Sequence, residues 1–176
     1  GCGKSMTALA ILRLVPRPRS TETAWLGVPS PEAAVDLLGI ATERTAGGVT
    51  SFELMERMGV EVVLKHGANV RYPLREQYPY SVLIELSSQA RNGLRAVLEE
   101  ILAEGHERGL VLDATIADSL EQGKAFWRIR EMFGEVQRHI GASIKHDVSV
   151  PVAAIPAFIE QANAAVSKLI PGSRLL

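Results

Sequence analysis

Arg130 is the first side chain whose type and spacing suggest chemistry. Helical spacing places it beside an apolar stripe that consists of Phe126, Ile129, Phe133, Val136 and Ile140. A guanidinium that loses part of its water at the edge of such a stripe favours a planar anionic partner, for example a carboxylate. The alternative is an arginine whose stem packs on the stripe while its head stays in water.

Lys145 is a second candidate cation, in a segment whose alternation predicts a strand over residues 142–150. Ile144 and Val148 would face the core, and Lys145 and Asp147 would then project from the opposite, polar face.

An earlier predicted strand has the same character, because Ser51 and Glu53 alternate with Phe52 and Leu54. A sheet with helices on one side and a charged opposite face is suited to covering a polar ligand. The alternative is a solvated face, on which mixed charges are common.

Other motifs indicate less. Residues 1–5, Gly-Cys-Gly-Lys-Ser, end like a phosphate-binding loop. The mechanism needs a strand before that loop and a helix after it, and the sequence predicts neither, so a chance match is the preferred interpretation. The histidines have no metal-binding spacing, so we expect no metal site built from this chain alone. They are His66, His106, His139 and His146.

Composition excludes several classes of protein. The chain has 176 residues, 47% of them hydrophobic, which suffices for a folded core without metal or disulfide. The net charge of −1 argues against nucleic-acid binding, and no apolar run is long enough to cross a bilayer. Cys2 is the single cysteine, which favours a reducing, cytoplasmic location, with membrane association only through an electron-transfer partner.

These candidates must be positioned by alternating strands and helices. Strands are predicted over residues 6–15, 23–28, 49–55, 80–86, 110–117 and 142–150, and helices over 31–46, 53–65, 88–104, 119–140 and 155–169. Strand-helix-strand units recur around 25–52 and 80–115. The expected fold is α+β, with an antiparallel or mixed sheet, helices on one face and a duplicated, ferredoxin-like organisation.

The chain is expected to be one domain over residues 1–176 and a fragment of a longer protein. Pro171-Gly172 predicts a turn, and only four residues follow it.

Four segments together resemble the C-terminal cap domain of the FAD-linked oxidase family. They are residues 12–18 (LRLVPRP), 50–55 (TSFELM), 127–131 (WRIRE) and 143–151 (SIKHDVSVP). The family contains D-lactate dehydrogenases, the glycolate oxidase flavoprotein subunit and D-2-hydroxyglutarate dehydrogenases. The resemblance spans nearly the whole chain.

The resemblance implies a flavoenzyme that oxidises a D-2-hydroxy acid, such as lactate, glycolate or 2-hydroxyglutarate, to the 2-oxo acid. Its FAD would be bound mainly by a separate FAD-binding domain that is absent from this chain. The cap would cover that domain on the substrate side of the flavin. The family's Arg and Lys that help hold the substrate carboxylate correspond to Arg130 and Lys145. The resemblance thus implies two cations that converge on one carboxylate, which would give strong, directional hydrogen bonds. The resemblance leaves open the electron acceptor and whether the protein forms a homodimer.

The sequence departs from the family pattern in three places. Gly134 stands where many members have Ser or Thr, one turn after the Arg, and residues 1–6 do not match a glycine-rich flavin-contacting stretch. A histidine-rich motif that supplies divalent-metal ligands and a base is expected beyond Leu176. This chain alone is therefore expected to be inactive. A non-catalytic ferredoxin-like binding or regulatory module is the alternative.

Overall fold

A computed structural model describes residues 17–141, 144 and 147–173. Its strands are β1 (Ser20–Val28), β2 (Val49–Glu56), β3 (Tyr80–Ser88) and β4 (Asp113–Ile116). Its helices are α1 (Pro31–Thr45), α2 (Arg57–His66), α3 (Leu94–Glu107), α4 (Leu120–Glu131), α5 (Phe133–Val136) and α6 (Ile155–Leu169). Short 3-10 turns occupy Gln137–His139 and Val152–Ala154.

The four strands form one antiparallel sheet in the order β2-β3-β1-β4. Helix α1 connects β1 to β2, and α3 connects β3 to β4. This order, with β1 and β3 in the centre, is that of a ferredoxin-like fold. The predicted α+β class, the antiparallel sheet and the two strand-helix-strand units are confirmed.

Strand alternation divides the side chains of the sheet between two faces. We call the face beneath α1 and α3 the first face. Its apolar side chains pack with both helices into a buried cluster that includes Leu26, Ile84, Leu37 and Leu98. Ser30 begins α1, since its hydroxyl accepts a hydrogen bond from the Ala33 N–H at 3.3 Å.

The second face is the opposite one, and it also carries helices, which differs from the prediction of helices on one face. Trp25 and Leu83 project from the central strands into a cluster with Phe126 and Ile129 of α4. Helix α2 adds buried valines to this cluster. Because α2 and α4 are short, their apolar stripes cover only part of the second face.

A loop over residues 67–79 borders the second face, as predicted. Tyr72 meets the Trp25 ring edge-to-face, with 6.2 Å between ring centroids. Tyr78 lies so close to Gly27 of β1 that a side chain at that position would collide with its ring. Gly27 therefore lets the loop approach the sheet.

The strand predicted over residues 142–150 is wrong for the residues that the structure describes there. Ile144 and residues 147–150 belong to no strand. Ile144 is 75% exposed and Val148 is 67% exposed, so neither faces a core. Alternation describes side chains alone, whereas a strand also needs a hydrogen-bonded neighbour.

The other helices differ less from their predicted bounds. The helix predicted over 119–140 divides at Met132 into α4, α5 and a 3-10 turn. Helix α3 begins at Leu94, after Gly93, whose φ of 92° is left-handed. Helix α6 matches its prediction, but its apolar stripe is only partly buried, against α1. The predicted strand over residues 6–15 and the sequence of residues 1–5, which ends like a phosphate-binding loop, lie outside the described residues.

Candidate functional site

Helix α4 presents the candidate site to the second face of the sheet. Its N-cap, Ser119, accepts a hydrogen bond from the Gln122 N–H at 3.2 Å. Phe126 and Ile129 bury the stripe of the helix that faces the sheet. Trp127 and Arg130 flank this stripe, so both lie between the apolar cluster and water.

Arg130 forms an ion pair with Glu53 of β2. Its Nε donates to the Glu53 Oε2 at 2.7 Å, and the two side chains are 43% and 32% exposed. No described residue supplies a hydrogen-bond partner for the two terminal amino groups of Arg130. The guanidinium is thus held at one edge and can still donate from its other edge.

Trp127, one turn before Arg130, is held by a second carboxylate of the sheet. Its indole Nε1 donates to the Glu85 Oε2 at 3.0 Å. The Thr23 hydroxyl also donates to this carboxylate, at 3.5 Å, and the Thr50 hydroxyl lies 3.3 Å from its Oε1 and 3.1 Å from the Glu85 backbone carbonyl, so its one proton serves either acceptor. Through Trp127, Glu85 fixes α4 over the strands.

An open cleft of about 310 Å³ lies beside Trp127. Polar side chains of β1, α3 and the start of α4 line most of it, among them Thr23, Arg95 and Lys124. Arg95 is already engaged, because it donates to Asp118 at 2.9 Å and to the Ala117 carbonyl at 3.1 Å. Lys124 pairs with Glu121 at 2.7 Å. The cations of this cleft thus have internal partners.

The described residues suit anion binding better than covalent or metal chemistry. No cluster of three or more potential metal ligands occurs among them. His106 hydrogen-bonds through Nδ1 to the Val111 carbonyl at 3.1 Å, and His66 stacks on His139. No described helix is long and apolar enough to cross a membrane. Among the described residues of α4, Arg128 and Arg130 each bond through Nε alone, but Arg128 is exposed whereas Arg130 is partly buried beside the apolar cluster.

The structure places the predicted site residues unevenly. Arg130 lies at the edge of an apolar stripe, as predicted, and Glu53 lies on the same face, opposite Phe52 and Leu54. Lys145 lies outside the described residues, so its convergence with Arg130 stays a prediction. Asp147 is exposed.

Sequence reasoning missed the Trp127–Glu85 contact. The available signal was a single carboxylate inside the otherwise apolar segment VLIEL of β3. A charged residue that interrupts an apolar strand needs a donor from elsewhere in the fold.

Comparison with known proteins gives one family match. Residues 17–170 match the model of the FAD linked oxidases, C-terminal domain. A mitochondrial D-2-hydroxyglutarate dehydrogenase of Arabidopsis thaliana is 33% identical over 138 residues, which cover 78% of this chain and 24% of the relative. A D-2-hydroxyglutarate dehydrogenase of Xanthomonas citri pv. viticola is 30% identical over 162 residues, 92% of this chain and 33% of the relative.

A more distant relative is a mitochondrial protein of Schizosaccharomyces pombe, named only provisionally as a D-lactate dehydrogenase. It is 28% identical over 159 residues, 88% of this chain and 29% of the relative. The chain spans about a third or less of the length of these three relatives.

Proposed function

Because the chain belongs to the FAD-linked oxidase family, whose C-terminal domain it matches over residues 17–170, we propose that it is the substrate-facing cap of a flavoprotein that oxidises a D-2-hydroxy acid to the 2-oxo acid. The match confirms the resemblance noted in the sequence motifs. Relatives named as D-2-hydroxyglutarate and D-lactate dehydrogenases support the substrate class.

The observation that carries the proposal is the half-exposed guanidinium of Arg130. Every 2-hydroxy acid has a carboxylate, and a guanidinium edge matches the two oxygens of a carboxylate. Arg130 would bind that group through its terminal amino groups, because Glu53 takes its Nε. Phe126 and Ile129, on the same helix, are buried against the sheet. This packing keeps α4 from shifting when the anion binds.

Lys145 is the proposed second cation. It follows α5 by nine residues in the chain, since α5 ends at Val136. A cation from this segment and one from α4 would hold the carboxylate from two directions and fix the position of the 2-carbon. Such orientation lowers the entropy cost of reaching the transition state.

The described residues do not fit the flavin itself. One cleft, on the outer surface between α1 and α3, and the other, beside Trp127, are both open to solvent, so neither encloses a ring system. A flavin ring needs a largely apolar, enclosed slot. We therefore assign FAD, and with it the uptake of the substrate's electrons, to a separate FAD-binding domain. We assign the base and any divalent metal to residues outside this chain as well.

The test is substitution of Arg130 in the full-length flavoprotein. Arg130→Ala is expected to lower kcat/KM for the accepted hydroxy acid, because about 2–4 kcal/mol of transition-state binding free energy is lost. Arg130→Lys should recover part of the loss, because it restores the charge without the guanidinium fork. Steady-state kinetics measures both.

Arg57→Ala is the matched control. Arg57 makes the same Nε-to-carboxylate contact, to Glu61 at 2.7 Å, but on the exposed surface of α2. Its kinetics should match those of the unsubstituted protein. Unchanged kinetics in Arg130→Ala would remove Arg130 from the site.

A further inference from the structure

We propose that Glu53 is a positioning residue, which aims the free edge of Arg130 at the substrate carboxylate and limits the net positive charge of the site. The inference rests on the proposed function, because it assigns how the anion-binding arginine is held. It goes beyond the motif resemblance, which gives Glu53 no role.

The geometry of the ion pair carries the first part. A guanidinium offers a carboxylate two edges, one that includes Nε and one that consists of the two terminal amino groups. Glu53 occupies the Nε edge at 2.7 Å. An incoming carboxylate must therefore bind at the terminal edge, on the side away from Glu53.

The sheet supplies the rigidity. Glu53 lies opposite Leu83 in the register of β2 with β3, and Leu83 is fully buried. The backbone of Glu53 is thus fixed by strand pairing. Arg130, in contrast, has a long side chain that loses rotamer freedom when it becomes ordered. Because Glu53 orders Arg130 before the ligand arrives, less of that loss falls on the binding step.

The charge of Glu53 supports the second part of the proposal, that this residue limits the net positive charge of the site. The negative Glu53 lies one guanidinium away from a bound anion and repels it, which weakens binding. Glutamine at this position keeps an oxygen that accepts the Nε–H bond but removes the repulsion. Alanine removes both the acceptor and the charge. The two substitutions therefore separate orientation from electrostatics.

The experiment measures the KM and kcat for whichever of D-2-hydroxyglutarate, D-lactate and glycolate reduces the flavin of the full-length protein, together with the calorimetric Kd of the corresponding 2-oxo acid, which reports binding without turnover. Glu53→Ala should raise KM and Kd by about 3-fold, because the roughly 10-fold cost of ordering one long side chain at binding is partly offset by the loss of the negative charge, with kcat changed less than KM. Glu53→Gln should lower both by about 3-fold, as removal of one negative charge near the anion requires.

Glu61→Ala and Glu61→Gln are the matched controls, since Glu61 accepts from the Nε of Arg57 in the same way. Neither should change KM or Kd. In the double variant Arg130→Ala/Glu53→Ala, compared with Arg130→Ala, the loss of Glu53 should no longer raise KM or Kd, because Glu53 orients the anion site only through Arg130.

Equal effects of Glu53→Ala and Glu53→Gln, an unchanged KM in Glu53→Ala, or a rise in KM from Glu53→Ala that persists without Arg130 would each overturn the inference. If Glu53→Ala does not fold, Glu53→Gln decides, since a KM and Kd that do not fall in that variant would overturn the inference. If Arg130→Ala itself has no effect on KM or Kd, the proposed anion site fails. If only the Glu53 variants depart from expectation, the role of Arg130 stands and that of Glu53 falls.

Discussion

The carboxylates of Glu53 and Glu85 do different work on the same face of the sheet. Glu85 receives donors from Trp127 and Thr23, and the Thr50 hydroxyl lies between its carboxylate and its backbone carbonyl. Glu53 has Arg130 as its partner, and that pair is partly open to water. One carboxylate therefore anchors α4, and the other presents a cation.

Periodicity was sufficient to place Arg130 and Glu53 on their faces. A period of 3.6 put Arg130 at the edge of a helical stripe, and a period of 2 put Glu53 opposite Phe52 and Leu54. Their contact joins residues that are 77 positions apart. Local patterns cannot give such a pair, because it depends on strand order and on which face α4 covers.

The paired rings of His66 and His139 make stability depend on pH. The rings stack with 4.6 Å between centroids and 2° between planes. Loss of water lowers the pKa of His66 below its usual 6.5, and the charges of His139 and Lys65 lower it further. The unfolded chain then binds a proton more readily than the folded chain, so stability falls as the pH drops below about 6.5.

His139→Gln should therefore flatten this dependence, because it removes one of the charges that oppose protonation of His66. Thermal unfolding of the protein at pH 7.5 and pH 5.5 is the measurement. We expect the melting temperature to fall more between these two conditions in the unsubstituted protein than in the variant. An identical fall in both would show that the stacked pair does not govern the acid response.

At the scale of elements, two helical glycines with opposite surroundings test the packing on the two faces. Gly39 lies in α1, and a Cβ added there would meet nothing within 4 Å. Gly59 lies in α2, where an added Cβ would collide with the Phe133 ring of α5. In a helix, alanine is favoured over glycine by about 1 kcal/mol when space allows.

Gly39→Ala should accordingly raise the free energy of unfolding by about 0.5–1 kcal/mol. Gly59→Ala should lower it, because displacement of the Phe133 ring outweighs the gain in helix propensity. Urea unfolding measures both, and each variant serves as the control for the other. Stabilisation by Gly59→Ala would mean that α5 does not pack against α2 as described.

The elements also show where sequence patterns stop. Helices α1 and α3 and the central strands were predictable because their apolar periods are strong, and Ser30 marks the start of α1. The start of α3 was predicted six residues too early, at 88 instead of Leu94. The segment over 142–150 has an equally clear alternation, yet its described residues pair with no strand. Alternation cannot reveal whether a sheet edge is available. Coverage of the second face by α2 and α4 was likewise a tertiary choice.

At the scale of the whole molecule, the two faces of the sheet differ in the polarity of their described residues. The cluster beneath α1 and α3 is apolar throughout. The cluster on the second face joins an apolar half to the polar edge that carries Trp127, Arg130 and Glu53. In the proposed function, this face covers a ligand held by another domain.

The chain matches about a third or less of each of three relatives, so the full-length protein is the object on which the account must be tested. The most direct measurement is anaerobic bleaching of its flavin absorbance by single hydroxy acids. D-2-hydroxyglutarate, D-lactate and glycolate would be compared with the L forms of the first two. We predict that at least one of the three bleaches the flavin, and that no L form does so comparably. An intact, flavin-loaded protein that none of them reduces would contradict the proposal and favour a non-catalytic binding module.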